Sequence, residues 1–148
     1  MNNVKPIAII KTGSTFPQIS EHYGDFDAWI HQGLGSTTGV MVIDADRRGR
    51  LPDLSALGGV VITGSHAMVT DQAPWMRQLM RWLYTLIHEA VQVPVLGLCF
   101  GHQLLARTLG GEFRMKLHAP DPVPVTEGLA GVVAIAGQDR GAGWRSQY

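Results

Sequence analysis

The stretch Val93-Pro94-Val95-Leu96-Gly97-Leu98-Cys99-Phe100-Gly101-His102-Gln103-Leu104-Leu105-Ala106 passes from an apolar strand pattern to a helical one across the chain's only cysteine. Few backbone geometries allow this. Gly97 and Gly101 stand two residues to either side of Cys99, the spacing a sharp strand-turn-helix elbow needs. Such a turn holds its central residue in strained backbone and has room only for small neighbours. The thiol then points out of the turn, beside a helix that begins near Gly101. Unpaired N–H groups and the positive dipole end at a helix start favour thiolate over thiol. A lone cysteine in an apolar run is more often an inert core residue. Here the paired glycines, the preceding strand and the polar Gly101-His102-Gln103 shift the reading toward a nucleophile.

The rest of the chain supplies an architecture in which such an elbow can sit. Ile7-Ala8-Ile9-Ile10, Val40-Met41-Val42-Ile43 and Val60-Val61-Ile62 are short apolar runs of the kind buried strands show. Phe26, Trp29 and Ile30 recur at helical spacing within residues 25–34, a segment closing at Gly33 or Gly35. Trp75, Leu79, Trp82, Leu83, Leu86 and Ile87 share one face of a predicted helix over residues 74–90, with Asp71 near its start. The Trp75 and Trp82 pair reads most simply as core packing. The elbow helix is expected to reach Leu109 and to be capped by Gly110. Apolar strands alternating with helices imply right-handed crossovers and a parallel sheet covered on both faces. Ligands then sit outside the carboxyl ends of the strands, where the loops over residues 11–17, 64–69 and 99–103 converge.

Composition narrows the function classes. Twelve Lys plus Arg balance twelve Asp plus Glu, so no basic field recruits nucleic acid, and small neutral or zwitterionic ligands are easier to accommodate. With 148 residues, 45% hydrophobic and 16% charged, the chain reads as one ordinary globular domain. A single cysteine excludes an internal disulfide and fits a reducing compartment. The apolar run before Lys11 is too short for a signal-peptide core or a membrane span, so the expected location is cytoplasmic.

The elbow Gly97-Leu98-Cys99-Phe100-Gly101-His102-Gln103 resembles that of the class I glutamine amidotransferases, which reads G-x-C-x-G-x-Q. The resemblance extends through Gly58-Gly59-Val60-Val61-Ile62-Thr63-Gly64-Ser65-His66-Ala67-Met68-Val69, similar to the family's strand and oxyanion loop, and through Asp71, Pro74 and Trp75. It covers about the first 112 residues. It implies a three-layer α/β domain with a mostly parallel sheet in flavodoxin-like order and a nucleophile elbow, incomplete at the C-terminus. Cys99 would be the catalytic nucleophile, with Gly97 and Gly101 shaping the elbow. The N–H of Phe100 and one from Gly64 or Ser65 would bind the oxyanion, and Gln103 would contact bound glutamine. Read without the resemblance, Gly64-Ser65 is a plain turn and Gln103 an exposed helix residue. The substrate implied is glutamine or a gamma-glutamyl compound, with no cofactor, no metal, no nucleic acid and no membrane, and with room for a separate acceptor or synthetase subunit.

One part of the machinery has no counterpart. Family members complete their triad with a His-x-Glu some eighty residues beyond the cysteine, whereas this chain ends 49 residues after Cys99. The only histidine past the elbow helix, His118, has Pro120 where the acid would stand. His102 lies on a helix leading away from the sulfur and reads as structural support. His66 either borders the site or is solvated, and His22, His31 and His88 are expected to face solvent. From Met115 the composition changes to Pro120, Pro122, Pro124, a small-residue run and Asp139-Arg140-Gly141-Ala142-Gly143-Trp144-Arg145, with Val132-Val133-Ala134-Ile135 able to add a strand. The expected division is a partial domain over residues 1–114 and a divergent tail over residues 115–148. The abrupt stop in resemblance favours a change of reading frame after about Glu112 over a natural divergent end. The expected function is Cys-dependent release of ammonia from glutamine through a glutamyl thioester, impaired by the missing His-x-Glu. The alternatives are a gamma-glutamyl peptidase and a catalytically inactive binding or regulatory module.

Overall fold

The computed structural model describes residues 4–90, 92–110 and 132–135. Its elements, in chain order, are β1 (Ile7–Lys11), α1 (Pro17–Tyr23), α2 (Phe26–Leu34), β2 (Val40–Asp44), β3 (Gly59–Ile62), α3 (Pro74–His88), β4 (Val95–Leu98), α4 (Phe100–Thr108) and β5 (Val132–Ile135). Strand order is β2-β1-β3-β4-β5. The first four strands are parallel, and β5 joins β4 antiparallel, with Val95 opposite Ile135 and Leu98 opposite Val132. The sheet is the expected one, in flavodoxin-like order. The strand anticipated over residues 132–135 is present as its edge; the remainder of the segment over residues 115–148 lies outside the described residues.

Side-chain parity explains the layers. Ala8 and Ile10 of β1, Val60 and Ile62 of β3, and Val95 of β4 share one face of the sheet and pack into a single core with Met76, Leu79, Leu83, Leu86 and Ile87 of α3 and Leu104 and Leu105 of α4. Each fully buried aliphatic side chain contributes about 1.5–3 kcal/mol relative to leaving it in water, so this face supplies most of the stability. The opposite face holds Ile9 and Val61, both buried. Chain connection from β1 to β2 runs the other way along the sheet from β3 to β4, and right-handed crossovers then place α2 and α3 on opposite faces. Order reverses between β1 and β3, so the crevice at the carboxyl ends of those two strands is the topological switch point.

Two expectations need correction. Pro17, read as the last residue of the loop over residues 11–17, instead opens α1 over residues 17–23, because it sits at the first helical position and its fixed φ favours helix entry. Met76 belongs to the buried face of α3, whereas Trp75 and Trp82 pack at the edge of the core, Trp82 donating its indole N–H to the Pro52 carbonyl at 2.9 Å. In α2 the apolar stripe covers β1 only partly, and Trp29 remains 40% exposed. Among the described residues no helix is long and apolar enough to cross a membrane.

Candidate active site

β4 ends at Leu98 and α4 begins at Phe100, so Cys99 alone makes the turn and is the N-cap of α4. Its backbone takes φ 50° and ψ −108°. Among the described residues, two other non-glycines have positive φ, Arg48 and Gln72, but their ψ values of 30° and 32° place them in the ordinary left-handed well. The Cys99 conformation lies outside it and costs on the order of 1–3 kcal/mol, a strain that persists only where the surroundings over-determine it. Two close approaches do so. A Cβ on Gly97 would lie 2.6 Å from the Gly101 carbonyl carbon and oxygen, and a Cβ on Gly101 would lie 2.6 Å from the Ile62 carbonyl oxygen. β3, β4 and α4 are thus pressed together at backbone distance. Phe100 is buried against Trp75 with ring centroids 5.9 Å apart, while Cys99 is exposed.

The loop after β3 reaches the same place. Gly64 lies so close to Cys99 that a Cβ there would be 3.7 Å from Cys99 Cβ. Among the described residues, the N–H groups of Gly64 and Ser65 have no hydrogen-bond partner. The Phe100 N–H belongs to the first turn of α4, where helix geometry supplies no acceptor. Gly64, which lies against Cys99, and Phe100, which follows it in the chain, thus carry N–H groups without an acceptor among the described residues. Gln103 follows one turn later, its N–H bonded to the Cys99 carbonyl at 3.2 Å and its side chain half-buried.

A buried threonine pair fixes that loop. Thr12 and Thr63, at most 1% exposed, end β1 and β3. The Thr12 N–H donates to Thr63 Oγ1 at 3.0 Å, and Thr12 Oγ1 lies 2.9 Å from the Thr63 carbonyl and 3.1 Å from the Gly64 carbonyl. Thr63 Oγ1 adds a bond to the Gly64 carbonyl at 3.0 Å. Gly13 lets the two loops meet, since a Cβ there would sit 2.7 Å from Ser65 Oγ. Further out, Arg107 of α4 donates to the Val69 carbonyl at 2.7 Å and ties the end of the loop to the elbow helix.

On the β1 side, Lys11 Nζ lies 3.1 Å from Asp25 and 3.2 Å from Asp27 at the start of α2. Partial burial pushes the Asp25 carboxyl up, but the N–H groups of Thr15 and Phe26, with Lys11 and Ser14, outweigh it and hold the group at about 2. For Lys11, burial pushes the ammonium down and the two carboxylates more than reverse this. The His66 ring lies tilted against Phe16 at 4.8 Å between centroids and against Phe26 at 6.4 Å.

The structure thus brings Cys99, Gly64 and Phe100 together at the carboxyl ends of β3 and β4, with Ser65 next in the chain after Gly64 and packed against Gly13. His66 borders the loop and is exposed; His22, His31 and His88 face solvent; His102 is half-buried on α4. His118 lies outside the described residues. Among those residues no group of three His, Cys, Asp or Glu side chains is placed to hold a metal. Sequence reasoning overlooked Thr12, Gly13, Thr63 and Arg107. A signal for the first three existed: Thr-Gly-Ser occurs twice, at residues 12–14 and 63–65, and the two copies end neighbouring strands.

Parallel α/β sheets with a cysteine at a strained strand-to-helix elbow define a class of thiol-dependent acyl-transfer scaffolds. Residues 19–141 match the family of class I glutamine amidotransferases, and the chain belongs to that family. It is similar to a glutamine amidotransferase-like protein of Schizosaccharomyces pombe, 27% identical over 117 residues, covering 70% of this chain and 47% of that protein. It is also similar to gamma-glutamyl peptidase 3 of Arabidopsis thaliana, 36% identical over 69 residues, covering 47% and 27% of the two chains. A crystal structure of a glutamine amidotransferase from Methylobacillus flagellatus superposes with a TM-score of 0.57 at 27% identity, covering 97% of this chain and 56% of that one. The chain spans about half the length of these relatives or less.

Proposed function

We propose that Cys99 is the nucleophile of a glutamine-amide hydrolase site. Its Sγ attacks the side-chain amide carbonyl of glutamine, and the N–H groups of Phe100 and of Gly64 or Ser65 hold the oxyanion. The C–N bond breaks and ammonia leaves with a proton, giving a glutamyl thioester. Water then attacks the thioester carbonyl, the C–S bond breaks, and glutamate and the thiol are released. Gln103 contacts the bound glutamine. The observation that carries this reading is the exposed Cys99 held in strained backbone beside Gly64.

Proton transfer is the weak step. No His-x-Glu occurs among the residues given, and without a partnered acid for the departing ammonia turnover is expected to fall by orders of magnitude. A gamma-glutamyl peptidase would use the same thioester with an amine in place of ammonia, and the Arabidopsis relatives carry that name. An ammonia acceptor or synthetase subunit belongs to this proposal as a separate protein.

Intact mass after exposure to a glutamine-mimicking chloroketone tests the nucleophile. The expected result is one adduct on the chain and none on Cys99→Ala; absence of adduct on both would assign the fold to an inactive binding module. Ammonia release is expected far below about 1 per second. Turnover at that rate or faster, abolished by Cys99→Ala, would mean that His102 or His118 serves as base.

A further inference from the structure

Glutamine's own amide presents only a small polar NH2 to the mouth of the site, yet the surface there is aromatic. Phe16, at the N-terminus of α1, is 59% exposed, and its ring lies 4.8 Å from that of His66. His66 in turn faces Phe26 at 6.4 Å, and Phe26 meets Trp29 edge-on at 5.7 Å. His66 follows Gly64 by two residues, and at about 3.8 Å per residue its Cα is no more than about 8 Å from that of Gly64. Gly64 itself borders Cys99. Phe16 and His66 lie in the segments that leave the carboxyl ends of β1 and β3, the same edge of the parallel sheet at which Cys99 follows β4.

We infer that Phe16, His66 and Phe26 form a subsite for an aromatic or apolar substituent on the amide nitrogen of a γ-glutamyl compound. The inference rests on the reading of Cys99 as nucleophile and names the substrate class that reading leaves open. Three features support it. First, the wall is built rather than incidental. The Phe16 carbonyl accepts the N–H groups of Ile19 and Ser20 at 2.9 and 3.0 Å, and the Phe26 N–H donates to Asp25 at 2.8 Å. Gly13 packs against Ser65 beneath His66. Second, the cation nearest in the chain to Phe16, Lys11, is paired with both Asp25 and Asp27, so the wall is poorly suited to the substrate's α-carboxylate and well suited to a neutral group. Third, Phe16 and His66 are exposed and lie tilted ring to ring, with the half-buried Phe26 beside His66, and they offer apolar area that another aromatic plane can cover at centroid distances of about 4.5–7 Å.

The test separates binding from chemistry. Calorimetric titration of the Cys99→Ala chain with γ-glutamylanilide and with glutamine should give a Kd about tenfold or more lower for the anilide. Adding Phe16→Ala should bring the ratio of the two Kd values toward one, whereas Tyr23→Ala, an exposed aromatic loss elsewhere on α1, should keep it. Equal affinities in the Phe16-bearing chain, or a ratio unmoved by Phe16→Ala, would overturn the subsite. So would equal affinities together with a dimer in sedimentation that Phe16→Ala dissociates, which would assign the rings to protein contact. Failure of Cys99 alkylation with the Kd preference intact would instead overturn the nucleophile and leave the subsite standing.

Discussion

Thr63 shows how much a single buried hydroxyl can decide at this site. Its Oγ1 is the acceptor for the Thr12 N–H and a donor partner for the Gly64 carbonyl, so it joins the ends of two strands to the residue beside Cys99. Thr63→Val preserves shape and removes both bonds, leaving the Thr12 N–H buried and unpaired at a cost of about 1–3 kcal/mol. A lower unfolding midpoint is expected in denaturant titration. Because Gly64 then loses one of its anchors, chloroketone alkylation of Cys99 should also slow several-fold. Thr63→Ser restores the hydroxyl and should recover the alkylation rate, an outcome that a loss of packing alone would not produce. Equal alkylation rates in all three chains would remove Thr63 from the positioning of the site. The elbow at Cys99 and its two glycines were legible because strained elbows admit few residue types. Thr12 and Thr63 were not, because each alone is an ordinary strand-end threonine and acquires meaning only opposite the other.

At the scale of elements, α2 depends on a charge arrangement that ties it to β1. Asp25 caps the helix, accepting from the Phe26 N–H at 2.8 Å and from the Thr15 N–H at 2.9 Å, and pairs with Lys11. Its carboxyl is held at about 2 against an ordinary 3.8. A depressed folded-state value means the stabilisation is complete above the ordinary value and is lost as pH falls through the folded one. Lys11 is raised above 10.5, so its share is present below that value and disappears as pH rises past the raised one. The unfolding temperature of the chain should therefore decline between about pH 4 and pH 2, and Asp25→Asn should flatten that limb. Asp25→Ala removes the cap as well and should cost about 1 kcal/mol at neutral pH. An unchanged acid limb in Asp25→Asn would show that other carboxylates carry it. The helix itself was readable from Phe26, Trp29 and Ile30, and its terminus as Gly33 or Gly35, of which the fold takes Gly35. The preceding α1 was not, because a seven-residue segment without a buried side chain carries no periodic signal.

Across the whole molecule the sheet is closed on the β4 side by a strand distant in sequence. β5 covers the backbone groups of Val95–Leu98, the strand that delivers Cys99. A chain ending at Gly110 would open that edge, and unpaired strand edges recruit other chains. Sedimentation at matched concentration should show larger species for the shortened chain than for the full one; identical profiles would mean that β5 does not protect β4. The sequence by itself determined the repeating strand and helix pattern, the parallel order and the elbow, since hydrophobic period and glycine spacing are local properties written along the chain. Only the tertiary structure decided that the two Thr-Gly-Ser segments interlock, that Arg107 anchors the far end of the Gly64 loop, and that the rings of Phe16 and His66 meet. Those contacts join residues 38 to 52 positions apart, and no local pattern encodes which distant segments will meet.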